Sequence, residues 1–136
     1  MFEGRDTRVL IIDDESDHAE LLGKVLERHG YSVEVARGAG DGLERAFLRP
    51  PDLVLLDLCM PQVDGFSAAA RLRADHRTAR VPIVFLSACG EEVQRGPWPT
   101  RSTYLPKPFH VTELLGSVER ALDDGCEELL EALPAS

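Results

Sequence analysis

Short apolar runs alternate with amphipathic stretches along this chain, and together they predict five strands. Residues 8–12, 53–56 and 81–86 are nearly continuous apolar runs, which is typical of strands buried on both faces. Residues 31–36 alternate apolar and polar side chains and predict a further strand, and residues 103–105 predict a short last one. Each apolar run ends abruptly at a polar or charged residue.

Helical spacing of apolar residues follows most of these strands. A helix capped by Ser16 or Asp17 is predicted to end at Gly30, and further helices are predicted over residues 38–48, 66–75 and 111–122. The predicted apolar faces are Leu21, Leu22, Val25 and Leu26; then Leu43, Ala46 and Phe47; and finally Leu114, Leu115, Val118 and Leu122.

Strands that alternate with helices, and that are apolar on both faces, indicate an α/β fold with a parallel sheet. We therefore expect a flavodoxin-like, doubly wound, five-stranded parallel sheet with helices on both faces. Residues 88–103 contain Gly96, Pro97 and Pro99, so the fourth helix is predicted to be short or missing. Residues 1–124 are expected to form the domain, and residues 125–136 a helical extension or linker stub.

Polar residues follow the predicted strands at the edge where binding sites form in such sheets. Asp13 and Asp14 follow the first strand, Asp57 the third, Ser87 the fourth and Lys107 the fifth. Any one of them alone would be a helix cap, a turn residue or a solvated charge, but five at one edge predict a shared site.

Crowded carboxylates repel one another, and a bound cation relieves that repulsion. Oxygen ligands suit Mg²⁺, and an aspartate carboxylate such as Asp57 can attack phosphorus to form an aspartyl phosphate. Lys107 and Ser87 would then stabilise the charge that develops on the phosphoryl oxygens. The sequence therefore predicts a phosphoryl-transfer site.

Charge and composition narrow the classes of partner. The 136 residues carry 15 basic and 24 acidic side chains, a net charge of −9, which argues against direct binding of nucleic acid or of an anionic membrane. No apolar run reaches the length of about 18 residues that a membrane span needs. We expect no secretory leader and a cytoplasmic location. Three scattered cysteines are expected to be free thiols, and all four histidines are expected at the surface.

Four motifs resemble the receiver domain of response regulators in two-component signalling. They are VLIIDDE at residues 9–15, DLVLLDLCMPQVDG at 52–65, VPIVFLSA at 81–88 and YLPKPF at 104–109. The resemblance covers about residues 8–122 and implies a phosphorelay module that switches conformation to control a partner.

The resemblance implies a role for each acid of the predicted site. Asp57 would accept the phosphoryl group from the phosphohistidine of a histidine kinase. Asp14 would bind Mg²⁺ or Mn²⁺ directly, Asp13 directly or through water, and the backbone carbonyl of Cys59 would be a further ligand.

The remaining motif residues would transmit the signal. Lys107 would pair with the phosphoryl group, and its peptide bond to Pro108 is expected to be cis. Ser87 and Tyr104 resemble the switch pair, in which the hydroxyl moves toward the phosphoryl group and the ring turns inward.

Implied partners are a histidine kinase or phosphotransfer protein and an unidentified downstream protein, with a homodimer possible and no DNA-binding domain expected. The only chemistry expected is self-phosphorylation and self-dephosphorylation, so the chain is not expected to be an enzyme.

Two alternatives stay open. A haloacid-dehalogenase-like phosphatase would need an aspartate two residues after its nucleophile, where this chain has Cys59. A pseudo-receiver that binds partners independently of phosphorylation usually lacks an acid or the lysine, and this chain has them all. Residues 88–103 depart from the receiver pattern, so the pseudo-receiver alternative stays open for the surface that would contact a downstream partner.

Overall fold

The structure, a computed structural model, describes residues 7–58, 65–87 and 100–124. Its strands are β1 (Arg8–Ile12), β2 (Ser32–Ala36), β3 (Leu53–Asp57), β4 (Ile83–Ser87) and β5 (Ser102–Pro106). The helices in these ranges are α1 (Ser16–Arg28), α2 (Ala39–Leu48), α3 (Gly65–Ala74) and α4 (Val111–Asp124).

All five strands pair in parallel in the order β2-β1-β3-β4-β5. The order reverses at β1, so the chain winds outward from the centre in both directions. This arrangement confirms the predicted flavodoxin-like, doubly wound sheet, and it leaves β2 and β5 as the two edge strands.

Each face of the sheet packs against its own pair of helices. Because side chains alternate across a strand, Val9 and Ile11 of β1 pack with α1 and α4, whereas Leu10 and Ile12 pack with α2 and α3. β3 and β4 divide their residues in the same way, and both are buried along their whole length. The central strands are therefore held in place by packing on both faces, and this packing also fixes the positions of the residues at their carboxyl ends.

The first helix differs from its prediction in two respects. Its buried stripe is Ala19, Leu22, Gly23 and Leu26, with the spacing of one helical face, so Leu21 points about 100° away and is 61% exposed. The residue that precedes the helix is Glu15, with no side-chain cap, and Ser16 is already helical. Capping by Ser16 or Asp17 was therefore the wrong prediction.

The end of α1 agrees with its prediction and explains why β2 starts one residue late. Gly30 has a φ of 93°, a left-handed conformation that suits glycine. Its N–H donates to the carbonyl of Glu27, and the Tyr31 N–H donates to that of Leu26, which is the Schellman arrangement. The Tyr31 N–H is therefore used in the helix end, and Tyr31 lies outside β2, although its side chain packs in the same core as Leu26.

Arg73 of α3 fixes the entry to β5. Its guanidinium donates to the carbonyls of Thr100 and Arg101 at 2.8 and 3.1 Å, and to that of Thr78 at 3.3 Å. Arg101 has a φ of 55°, a conformation uncommon for a residue other than glycine, and the bond from Arg73 holds it there. This contact sets the start of the strand that leads to Lys107.

Some predictions fall on residues outside the described ranges. They concern the helix between β4 and β5, predicted to be short or missing, within residues 88–99; the three cysteines; and the extension at residues 125–136. Within the described ranges, no helix combines the length and apolar character that crossing a bilayer requires.

The contact between α2 and β1 yields a test of this packing. A Cβ at Gly42 would lie 2.5 Å from Cδ1 of the buried Ile12, whereas a Cβ at Gly40 would meet nothing within 4 Å. We expect Gly40→Ala to raise the free energy of unfolding by about 0.5–1 kcal/mol, because alanine favours the helix. Gly42→Ala should instead lower it by about 1–2 kcal/mol through overpacking, measured by urea denaturation. Stabilisation by Gly42→Ala would contradict the close approach of α2 to Ile12.

Candidate phosphoryl-transfer site

The register of the strands brings the predicted site residues to one edge. Ile12 of β1 pairs with Leu56 of β3, so the next residues, Asp13 and Asp57, lie level with each other. Ser87 at the end of β4 pairs with Pro106, the residue that precedes Lys107. One set of pairings therefore places all of these residues at the carboxyl edge of the sheet.

Asp13, Asp14 and Asp57 form a cluster of carboxylates. One ligand oxygen from each lies within 4.8 Å of the others, and this is a group that could hold a metal ion. Asp13 has no exposed surface and Asp57 is 3% exposed, whereas Asp14 is exposed to solvent. An all-oxygen donor set with one solvent-facing member suits a hard cation that keeps several waters, such as Mg²⁺.

Burial is the main influence on the charge of Asp13. It raises the pKa of this carboxyl above the usual value, and the nearby Asp57 raises it further. Hydrogen bonds act in the opposite direction: the Glu15 N–H donates to Oδ1 at 2.9 Å, and His18 Nδ1 lies 2.7 Å from Oδ2. The carboxylate is thus costly to ionise but held by two polar partners, and a bound cation would offset the cost.

Lys107 supplies a positive charge that contacts Asp57. Its Nζ donates to Asp57 Oδ2 at 3.2 Å, across 50 residues of sequence. The backbone N–H of Lys107 donates to the carbonyl of Ser87 at 2.7 Å, which ties the loop after β5 to the end of β4. The Lys107–Pro108 bond is cis, as predicted.

Ser87 and Tyr104 share a face of the sheet. Phe85 pairs with Tyr104 across β4 and β5, and Ser87 lies two residues beyond Phe85, so the alternation of side chains puts all three on one face. Ser87 is buried, but Tyr104 is 39% exposed on the edge strand. The Tyr104 ring is therefore partly in contact with solvent.

His18 is the residue that sequence reasoning missed. It was predicted at the surface with the other histidines, yet its side chain is only 22% exposed and contacts Asp13. Its position in the first turn of α1 carries no sequence signal for this contact, because the approach of α1 to the end of β1 is a tertiary feature. The Cys59 carbonyl, predicted as a metal ligand, lies outside the described residues.

Comparison with known proteins identifies the same pattern. The sequence profile of the response regulator receiver domain matches residues 9–119. The chain is similar to the DNA-binding dual master transcriptional regulator RpaA of Synechocystis sp., with 41% identity over 85% of this chain and 48% of RpaA. It is also similar to Protein PilH of Pseudomonas aeruginosa, with 34% identity over 85% of this chain and 97% of PilH.

A solved structure shows the same fold. Response regulator protein TrrA from Thermotoga maritima, in complex with Mg²⁺-BeF, has a TM-score of 0.76 and 30% identity, over 85% of this chain and 99% of TrrA. The chain spans about half the length of several curated relatives, RpaA among them. The fold, the matched profile and these similarities show that the chain belongs to the response regulator receiver domains of two-component systems, which are signalling domains rather than conventional enzymes.

Proposed function

We propose that this receiver domain accepts a phosphoryl group on Asp57 from a histidine kinase or phosphotransfer protein and then controls a downstream protein. One observation carries the proposal: the buried Asp57 carboxylate is clustered with the two other acids and also contacts the Lys107 ammonium. A nucleophilic carboxylate, a possible cation site and a fixed positive charge are the groups that phosphoryl transfer needs.

The proposed metal ligands are Asp13, Asp14, Asp57 and the backbone carbonyl of Cys59. The carboxylate cluster and the Mg²⁺ in the TrrA complex support Mg²⁺ as the ion, with Mn²⁺ as a substitute of similar preference. When bound, the ion would neutralise charge on the phosphoryl oxygens. Two of these acids, Asp13 and Asp57, are buried at strand ends, so the position of the proposed cation site is fixed by the sheet.

In the proposed reaction, an Asp57 carboxylate oxygen forms a bond to phosphorus while the bond from phosphorus to the donor's imidazole nitrogen breaks. The electron pair of that bond leaves with the imidazole. Lys107 already lies 3.2 Å from Asp57 Oδ2, so its charge is available to the phosphoryl oxygens without a large rearrangement. Ser87, at the end of β4, is the proposed hydroxyl donor to the same oxygens.

The proposed output is a change on the β4–β5 face. When Ser87 moves toward the phosphoryl group, the Tyr104 ring would turn from solvent into the space beside β4. Receiver domains interact with kinases and downstream effectors, and we propose that this face meets the effector, with dimerisation as one possible form of output. The proposed location is the cytoplasm, where response regulators generally act.

Intact-mass measurement tests the acceptor and the metal together. We expect one phosphoryl increment after incubation of the wild-type chain with acetyl phosphate and Mg²⁺. The increment should be absent when Mg²⁺ is removed with a chelator, and absent in Asp57→Asn. A matched control, Asp52→Asn, removes an acid at the opposite end of β3 from Asp57, and this variant should still be labelled.

Two results would contradict this expectation. Labelling of Asp57→Asn to the wild-type extent would place the acceptor elsewhere. Failure of the folded wild-type chain to accept phosphate from either acetyl phosphate or a phosphohistidine donor would favour the pseudo-receiver alternative.

The carboxylate cluster should limit stability in the absence of a divalent cation. We expect Asp13→Asn to raise the free energy of unfolding of the metal-free protein by on the order of 1–3 kcal/mol, because two charges a few ångströms apart repel at an effective dielectric constant of about 20. Mg²⁺ should stabilise the wild type more than the variant. Urea denaturation with and without Mg²⁺ measures both effects.

Asp17→Asn is the control for that comparison, because Asp17 is an exposed acid of α1 outside the cluster. It should change neither the metal-free stability by more than a few tenths of a kcal/mol nor the response to Mg²⁺. A metal-free Asp13→Asn protein that is less stable than the wild type would show that repulsion does not dominate there.

Tyrosine accessibility reports the proposed switch. The chain has two tyrosines, of which Tyr31 is buried and Tyr104 is exposed. We expect nitration of Tyr104, located by peptide mapping, to slow several-fold when Mg²⁺ and beryllofluoride are added, while Tyr31 reacts slowly throughout. Asp57→Asn should show no protection. An unchanged Tyr104 rate in protein shown by fluorine NMR to hold beryllofluoride would exclude the inward movement.

A further inference from the structure

His18 contacts the most buried acid of the site. The His18 Nδ1 atom lies 2.7 Å from Asp13 Oδ2, although His18 is five residues further along the chain. Asp13 has no exposed surface, so this contact takes the place of a water molecule on that oxygen. The sequence offers no hint of it, and neither the acceptor chemistry nor the switch proposed above uses His18.

The two oxygens of Asp13 are held by different donors. The Glu15 N–H donates to Oδ1 at 2.9 Å, and His18 holds Oδ2. An ionised carboxylate can only accept hydrogen bonds, so a hydrogen bond from His18 to ionised Asp13 requires a proton on Nδ1. With a donor on each oxygen, the carboxylate cannot rotate freely, yet each oxygen keeps a second lone pair for a cation.

His18 itself is not part of the carboxylate cluster. Among the described residues, the ligand atoms that lie within 4.8 Å of one another belong to Asp13, Asp14 and Asp57. Any influence of the imidazole on a cation at this cluster would therefore run through Asp13, in the way that hydrogen-bond partners of metal ligands generally act.

The other side of the imidazole faces the loop that carries Lys107. The His18 and Phe109 rings are 6.4 Å apart between centroids and tilted by 54°. Phe109 packs against the core formed with α1 and α4, and it lies two residues after Lys107. The imidazole thus contacts the Asp13 carboxylate and also lies near an aromatic side chain of the core.

We propose that His18 is a positioning residue for the cation: its Nδ1–H fixes Asp13 in the orientation that binds Mg²⁺. This inference rests on the proposed function, because it concerns the same cation. It assigns to α1 a part in metal affinity that the motif residues do not provide.

Matched substitutions at position 18 separate this role from packing. His18→Leu keeps a side chain of similar bulk but removes the donor. His18→Asn places an amide nitrogen at the position of Nδ1 and so keeps a hydrogen-bond donor there. Isothermal titration with Mg²⁺ alone should show affinity weakened about 10-fold or more in His18→Leu and within about threefold of wild type in His18→Asn. In an Asp13→Asn background, His18→Leu should have little further effect.

The outcomes distinguish this inference from the function on which it rests. If the folded wild type binds no Mg²⁺, the proposed function and this inference fail together. If the wild type binds Mg²⁺ but His18→Leu binds equally well or more tightly, His18 does not position Asp13 and the proposed function stands. Equal weakening in both variants would likewise overturn the inference, since packing alone would then explain the effect.

A measurement on the wild type does not depend on how well the variants fold. Nitrogen-15 NMR of the imidazole should show that Nδ1 of His18 carries the proton at neutral pH in the metal-free protein. An unprotonated Nδ1 would overturn the proposal, because no donor would then face Asp13.

Discussion

Three carboxylates converge within 4.8 Å at the end of a buried sheet, and this crowding is the constraint on which the site depends. Left to themselves, such groups would separate or take up protons. Here the two buried acids are held close together, because Asp13 follows β1 and Asp57 ends β3, and the packed core sets the register of these strands. Lys107 offsets part of the charge, and the remaining carboxylate oxygens are a donor set that suits a hard cation.

The fold provides this rigidity through its two cores. Residues of β1 and β3 alternate between the two faces, so a shift of one residue would expose every apolar side chain of a strand to the wrong helices. The same register that satisfies the cores also aligns the strand ends. Packing and chemistry therefore depend on a single set of strand pairings, and the hydrogen bond between Ser87 and Lys107 extends that alignment to the edge strand.

Periodicity and strand-end chemistry were enough to predict the sheet and the position of the acids, because both follow from local sequence. Features set by contacts between elements were not predictable. Leu21 was predicted on the buried face of α1, yet it is exposed. The rotation of a helix about its axis depends on what the helix packs against, and local sequence does not reveal that. His18 was assigned to the surface, although the approach of α1 brings it to Asp13. The switch roles of Ser87 and Tyr104 were inferred from the resemblance to receiver domains. Their position on one face of the sheet agrees with those roles, and the movement of the hydroxyl and the ring stays a prediction.

We propose that the Asp57 carboxylate carries the phosphoryl group, and its chemistry allows a direct test. Borohydride reduces an aspartyl phosphate to homoserine, so reduction of the phosphorylated chain followed by peptide mapping locates the acceptor residue. We expect homoserine at position 57 and unmodified aspartate at positions 13 and 14. Homoserine at either of those positions, or a stable phosphoryl group on a serine or histidine, would contradict it.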